Sequence, residues 1–148
     1  MNYKKFALSL FLVIVLAASV LAEIPFSLNP STVEFNKAIN STTLSVSNTG
    51  SGLINVTFQP PAEIKRGTKT VKFTFAPITL NNINNTTPKS TLVKMEGDIF
   101  DFPFGEYSTT ANVTAMNSTE TTSQQLTLKF RSGFCDNGPR GTNLSISK

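Results

Sequence analysis

Histidine and tryptophan are both absent from this chain of 148 residues, and cysteine occurs once, at Cys135. Without histidine the commonest general base and the commonest zinc ligand are missing, which excludes Ser-His and Cys-His catalysis and His-based metal sites. With a single cysteine no intrachain disulfide can form, so stability has to come from packing. Acidic residues are few, nine against thirteen basic ones. Long apolar runs are also scarce: one lies at the start, and no later run is long enough to span a bilayer.

That one run carries the clearest message. Lys4 and Lys5 precede an almost unbroken apolar stretch from Phe6 to Ala22. A positive start, an apolar core and small residues at Val20 and Ala22 form the pattern of a secretory signal cut ahead of Glu23. The competing reading is an uncleaved membrane tether through 6–22, because seventeen residues lie at the short end of what spans a hydrocarbon core. Both readings keep the lysines inside and place the remainder outside. The expected localisation is extracellular or at the cell surface. Beyond residue 22, eleven basic residues face nine acidic ones, so the exported part is nearly neutral and no nucleic-acid partner is expected. The densest basic cluster, Lys65, Arg66, Lys69 and Lys72, reads as a solvated face and turn.

Threonine, serine and asparagine are abundant, which favours pleated structure and turns over helix. Period-two alternation marks the strands. Leu44 and Val46 oppose Thr43, Ser45 and Ser47 before a turn cluster at Asn48–Gly52. Ile54, Val56 and Phe58 then share a face until Pro60, and a hairpin is the natural link between these two strands. Val71, Phe73 and Phe75 make another strand. Asn81–Pro88 reads as a polar loop, and Thr91–Glu96 and Ile99–Phe102 as weaker edge strands. Tyr107–Met116 and the Leu126, Leu128, Phe130 set are the late strands, and Val33 and Phe35 an early one. About seven short strands predict an all-β antiparallel sandwich over residues 23–131. Residues 132–148 read as a turn-rich connector leading to a terminal strand at Leu144–Ile146.

The runs Leu44–Gly50 and Ile54–Phe58 resemble the second and third strands of immunoglobulin-like modules of the CARDB type found in archaeal and bacterial surface proteins. Pro103–Tyr107 followed by Asn112–Ala115 is similar to the glycine-then-tyrosine corner that enters a late strand of such sandwiches. The resemblance covers roughly Leu28 to Phe130 and implies that Gly105 makes the turn while Tyr107 plugs the corner with its hydroxyl on a backbone group. It implies an immunoglobulin-like β-sandwich preceded by the apolar N-terminal helix. It carries no specific activity.

Little chemistry is left. Glu96, Asp98, Asp101 and Glu106 lie within eleven residues, a spacing open to a calcium site or a glycosidase-like pair. They alternate with Ile99, Phe100, Phe102 and Phe104, which favours plain solvent-facing positions, so no metal, cofactor or catalytic residue is assigned. Asn-x-Ser/Thr sequons stand out more. They occur at Asn40, Asn55, Asn84, Asn85, Asn112, Asn117 and Asn143, whereas chance pairing of 14 asparagines with 35 serines and threonines gives about three. Asn55 and Asn112 fall opposite core-facing valines, where a sugar meets solvent. Cys135 has three readings: an inert thiol, an intermolecular disulfide partner or, least favoured, a reactive site.

The sequence thus describes an exported, non-enzymatic, N-glycosylated cell-surface module of structural or adhesive role. Its expected partners are other surface proteins or copies of itself. The alternative is a pilus-like filament subunit, in which Ile24–Phe35 or the terminal Leu144–Ile146 strand completes a neighbour's sheet.

Overall fold

The computed structural model describes residues 23–36, 38–61, 63–97, 99 and 102–132. Outside them lie the signal or tether at 1–22, Asp98, Phe100 and Asp101, and the segment 133–148 with Cys135, Asn143 and Leu144–Ile146. The described residues hold ten strands: β1 (Phe26–Asn29), β2 (Thr32–Phe35), β3 (Ser41–Asn48), β4 (Ile54–Gln59), β5 (Ile64–Arg66), β6 (Lys69–Ala76), β7 (Thr79–Ile83), β8 (Lys89–Gly97), β9 (Gly105–Met116) and β10 (Thr121–Ser132). Among them no helix is long and apolar enough to cross a membrane.

Alternation builds each strand. Val71, Phe73 and Phe75 of β6 point inward while Lys72 and Thr74 point out; Ile54, Val56 and Phe58 of β4 do the same against Asn55 and Gln59. Two five-stranded sheets result, ordered β1-β3-β8-β6-β5 and β2-β10-β9-β4-β7. Their inner faces meet in one core, where Phe35 leans on Phe73 and Phe58 stacks on Phe75 with centroids 5.5 and 5.0 Å apart. Leu44, Val56, Val93, Ala111, Val113, Leu126 and Leu128 in that core are wholly buried.

Several expectations are corrected. The strands number ten rather than about seven, and the sandwich is mixed, because β2 runs parallel to β10 from Thr32–Thr127 to Phe35–Phe130. β3 and β4 do not form a hairpin: β3 pairs with β1 and β8, and β4 with β7 and β9 in the other sheet. The Asn48–Gly52 turn therefore crosses between layers, with the Asn48 side chain donating to the Gly52 and Ile83 carbonyls. The loop read from Asn81 begins later, since β7 runs to Ile83. Finally, Thr91–Glu96 belongs to β8, a central strand between β3 and β6, and Ile99 and Phe102 are buried without joining a strand.

The first two strands divide their labour. β1 pairs antiparallel with β3 in one sheet and β2 crosses to β10 in the other, with a cis Asn29–Pro30 bond near the crossing. Ile24, Phe26, Val33 and Phe35 are all buried in the core. The segment that the filament reading offers to a neighbour is thus consumed by the chain's own sandwich.

Candidate functional site

The described interior is apolar apart from a few buried polar side chains. No three acidic or sulfur ligands converge on a metal position there. Among the described residues every buried side-chain nitrogen or oxygen has a partner, and the four buried polar side chains serve architecture. Asn48 closes the inter-sheet turn, Thr91 donates to the Pro77 carbonyl, Thr122 accepts from the Ile24 N–H, and Ser132 reaches the Ile99 and Phe102 carbonyls at 2.6 and 2.7 Å.

The acidic cluster is split by the fold. Glu96 lies on β8 and meets Lys94 at 3.2 Å, while Glu106 lies on β9 in the opposite sheet and meets Lys129 and Arg131, each at 3.3 Å. The hydrogen bond from Lys129, with that from Arg131 behind it, lowers the Glu106 pKa. A carboxyl held ionised is a poor general acid, and Asp98 and Asp101 lie outside the described residues. Of the basic cluster, Lys65 and Lys72 share Glu63, and Arg66 sits 5.8 Å from the centre of the Tyr107 ring.

Tyr107 anchors a corner. Its hydroxyl donates to the Pro103 carbonyl at 2.9 Å, and its ring packs against Phe102 and Phe130. Gly105 opens β9, where an added Cβ would meet Tyr107 only at ordinary contact distance, 3.8 Å. The corner therefore turns on the tyrosine and does not require the glycine. Phe104 between them is 84 % exposed, a departure from alternation that sequence pattern alone does not reveal.

Five of the sequon asparagines lie on or next to strands of one sheet. Asn55 of β4 and Asn112 of β9 share the outer face of the β2-β10-β9-β4-β7 sheet, where Asn55 pairs with Met116 and Gln59 with Asn112. Asn117 follows β9, and Asn84 and Asn85 follow β7, whose last residue Ile83 pairs with Ile54. Asn40 stands apart, its carbonyl accepting the Met95 N–H at the head of β3. All six are exposed except the half-buried Asn117.

Among the described strands several stretches of backbone edge lack a strand neighbour, and two of them lie beside short edge strands. β2 covers only Thr127–Phe130 of β10, leaving Thr121–Leu126 open on that side, and β5 covers only Lys69–Val71 of β6, leaving Lys72–Ala76 open. Side chains fill part of the first gap, where Gln124 donates to the Phe26 carbonyl.

No protein-family model matches the chain, and no characterised protein matches it in sequence. Solved structures do match in shape. The Escherichia coli chaperone DraB superposes with a TM-score of 0.57 at 17 % identity, covering 74 % of this chain and 56 % of the chaperone. The periplasmic chaperone SfaE gives 0.56 at 15 % identity, covering 78 % of this chain and 60 % of the other. The PapD-like domain 7 of human CEP192 gives 0.54 at 11 % identity, covering 77 % and 89 %. The chain thus spans little more than half the length of the two chaperones. At such identities the likeness establishes the fold alone, an immunoglobulin-like all-β sandwich.

Proposed function

We propose that this chain is an exported, non-enzymatic cell-surface protein that works through its outer surface, as a structural or adhesive module carrying N-linked sugars. One observation carries the reading: the described interior is filled with apolar side chains and leaves no buried polar side-chain atom without a partner, so the surface is where this domain has chemistry to offer. That surface is rich in serine, threonine and asparagine, and bears six of the seven sequons. The CARDB-type resemblance of Leu44–Gly50 and Ile54–Phe58 fits the same placement, as does the apolar segment at 6–22. Contacts with other surface proteins or with copies of itself are the activity in this reading.

A second reading, a filament subunit, is favoured by the open edges of β10 and β6, which present unpaired backbone to an incoming strand. Because Ile24–Phe35 is held in the chain's own core, the donor in this reading is the terminal Leu144–Ile146 strand.

Two measurements on the native protein separate the readings. Surface biotinylation of intact cells labels the protein in either case, and failure to label it overturns both. Sedimentation then decides: a module remains small, whereas a filament subunit runs as large polymers that deletion of 133–148 disperses.

A further inference from the structure

Asn84 and Asn117 stand in different loops, after β7 and after β9, yet their side chains are bonded alike. The Asn84 Oδ1 accepts the Thr86 N–H at 3.1 Å, the Thr86 hydroxyl at 3.1 Å and the Thr87 N–H at 2.8 Å. The Asn117 Oδ1 accepts the Thr119 N–H at 2.8 Å, the Thr119 hydroxyl at 3.2 Å and the Glu120 N–H at 2.7 Å. In each, the sequon threonine closes on its own asparagine and leaves the Nδ2 amide to solvent. Three donors on Oδ1 raise the acidity of the Nδ2 N–H, which eases loss of the proton that the amide nitrogen must shed as it forms a new bond. Asn36 makes the same turn with Ala38 at the third position and so lacks the hydroxyl. The strand sequons differ: Asn55 Oδ1 accepts the Asn82 N–H, and Asn112 sits in β9 between β4 and β10.

A second observation points to the same end of the sandwich. Met116 and Leu53 are 51 % and 57 % exposed. Met116 adjoins Asn117, and Leu53 precedes Ile54, which pairs with Ile83 beside Asn84. Ile83 and Met116, the strand residues that precede the two loops, lie across β7-β4-β9 at roughly two strand spacings, about 10 Å, with Leu53 at the same end.

We propose that Asn84 and Asn117 are the N-glycan acceptors of the folded domain, and that their sugars cover Leu53 and Met116. In the transfer, a bond forms between Asn Nδ2 and the anomeric carbon of a lipid-linked oligosaccharide. The pyrophosphate leaves with the bonding electron pair, and the amide proton passes to a base of the transferase. The inference rests on the reading of the chain as an exported glycoprotein.

Glycopeptide mass spectrometry of the protein from its native host tests it. The expected result is high occupancy at Asn84 and Asn117 and low occupancy at Asn55 and Asn112. Thr86→Val and Thr119→Val each remove one glycan mass, whereas Thr86→Ser and Thr119→Ser retain it. Equal occupancy at Asn112 overturns the selection, since attachment would then ignore the folded geometry. A surface-exposed protein with bare Asn84 and Asn117 overturns the inference but leaves the surface reading standing; a cytoplasmic protein overturns both. Enzymatic removal of the sugars is expected to increase self-association at least twofold, and Leu53→Thr with Met116→Thr to abolish that increase. No increase overturns the covering role.

Discussion

Tyr107 lies flat on Phe130, ring centroids 5.0 Å apart and planes 15° from parallel, while its hydroxyl holds the Pro103 carbonyl at 2.9 Å. Stack and hydrogen bond are separable by mutation. Tyr107→Phe keeps the ring and loses the bond, at about 1 kcal/mol. Tyr107→Ala loses both, at about 3 kcal/mol. Urea titrations of the two variants should show this order, and equal midpoints would mean that the hydroxyl alone fixes the corner.

Gly97 and Gly105 bracket the same loop and should respond oppositely to alanine. Gly97 has φ of 126°, and a Cβ there overlaps the Thr70 carbonyl oxygen, whereas Gly105 has ordinary space. Gly97→Ala is expected to cost about 1–3 kcal/mol from its dihedral alone, with the overlap added. Gly105→Ala should stay within about 0.5 kcal/mol. Thermal melts compare them directly, at about 4 °C per kcal/mol for a domain of this size.

Ser132 ties the end of β10 to two buried carbonyls. Ser132→Ala leaves both without that donor, a loss of about 1–3 kcal/mol. Ser132→Thr, which restores a hydroxyl, should recover part of the lost midpoint if the side chain finds room. A neutral Ser132→Ala would show that water replaces the serine.

Acid should weaken the surface ion pairs in a set direction. Hydrogen bonds from Lys72 and then Lys65 lower the Glu63 pKa, and that from Lys129 leads for Glu106. A carboxyl depressed in the folded state stabilises above its unfolded value near 4.5 and loses that contribution as pH falls through the lower folded value. Melting temperature should therefore fall less steeply below pH 4.5 in Glu63→Gln with Glu106→Gln than in the parent. Both groups are exposed, so added salt should narrow the difference. Superposable curves would show that these pairs contribute nothing.

The strands were legible because their alternation is clean. Val71, Phe73 and Phe75, or Ala111, Val113 and Ala115, announce a buried face without any knowledge of partners. Partnership was not legible. Asn48–Gly52 has the composition of a hairpin turn, and only the Asn48 hydrogen bonds to Gly52 and Ile83 show it stitching two layers together. Thr91–Glu96 of β8 read as a weak edge strand, yet it lies between β3 and β6, and on a two-layer sandwich the outer face of a central strand is as wet as any edge. The sequons were visible as a motif. That Asn84 and Asn117 fold onto their own threonines while Asn55 is held by Asn82 depends on backbone geometry that no spacing encodes.

The crossing of β1 and β2 between sheets has a consequence in time. β2 finds its partner in β10, at the far end of the described chain, so a polypeptide synthesised N-terminus first cannot complete this pairing until Phe130 has been made. Contacts of such long loop length form late. Until then Val33 and Phe35 wait without their neighbours Leu128 and Phe130. The clasp of the second sheet is thus set by the last strand to be made among those described.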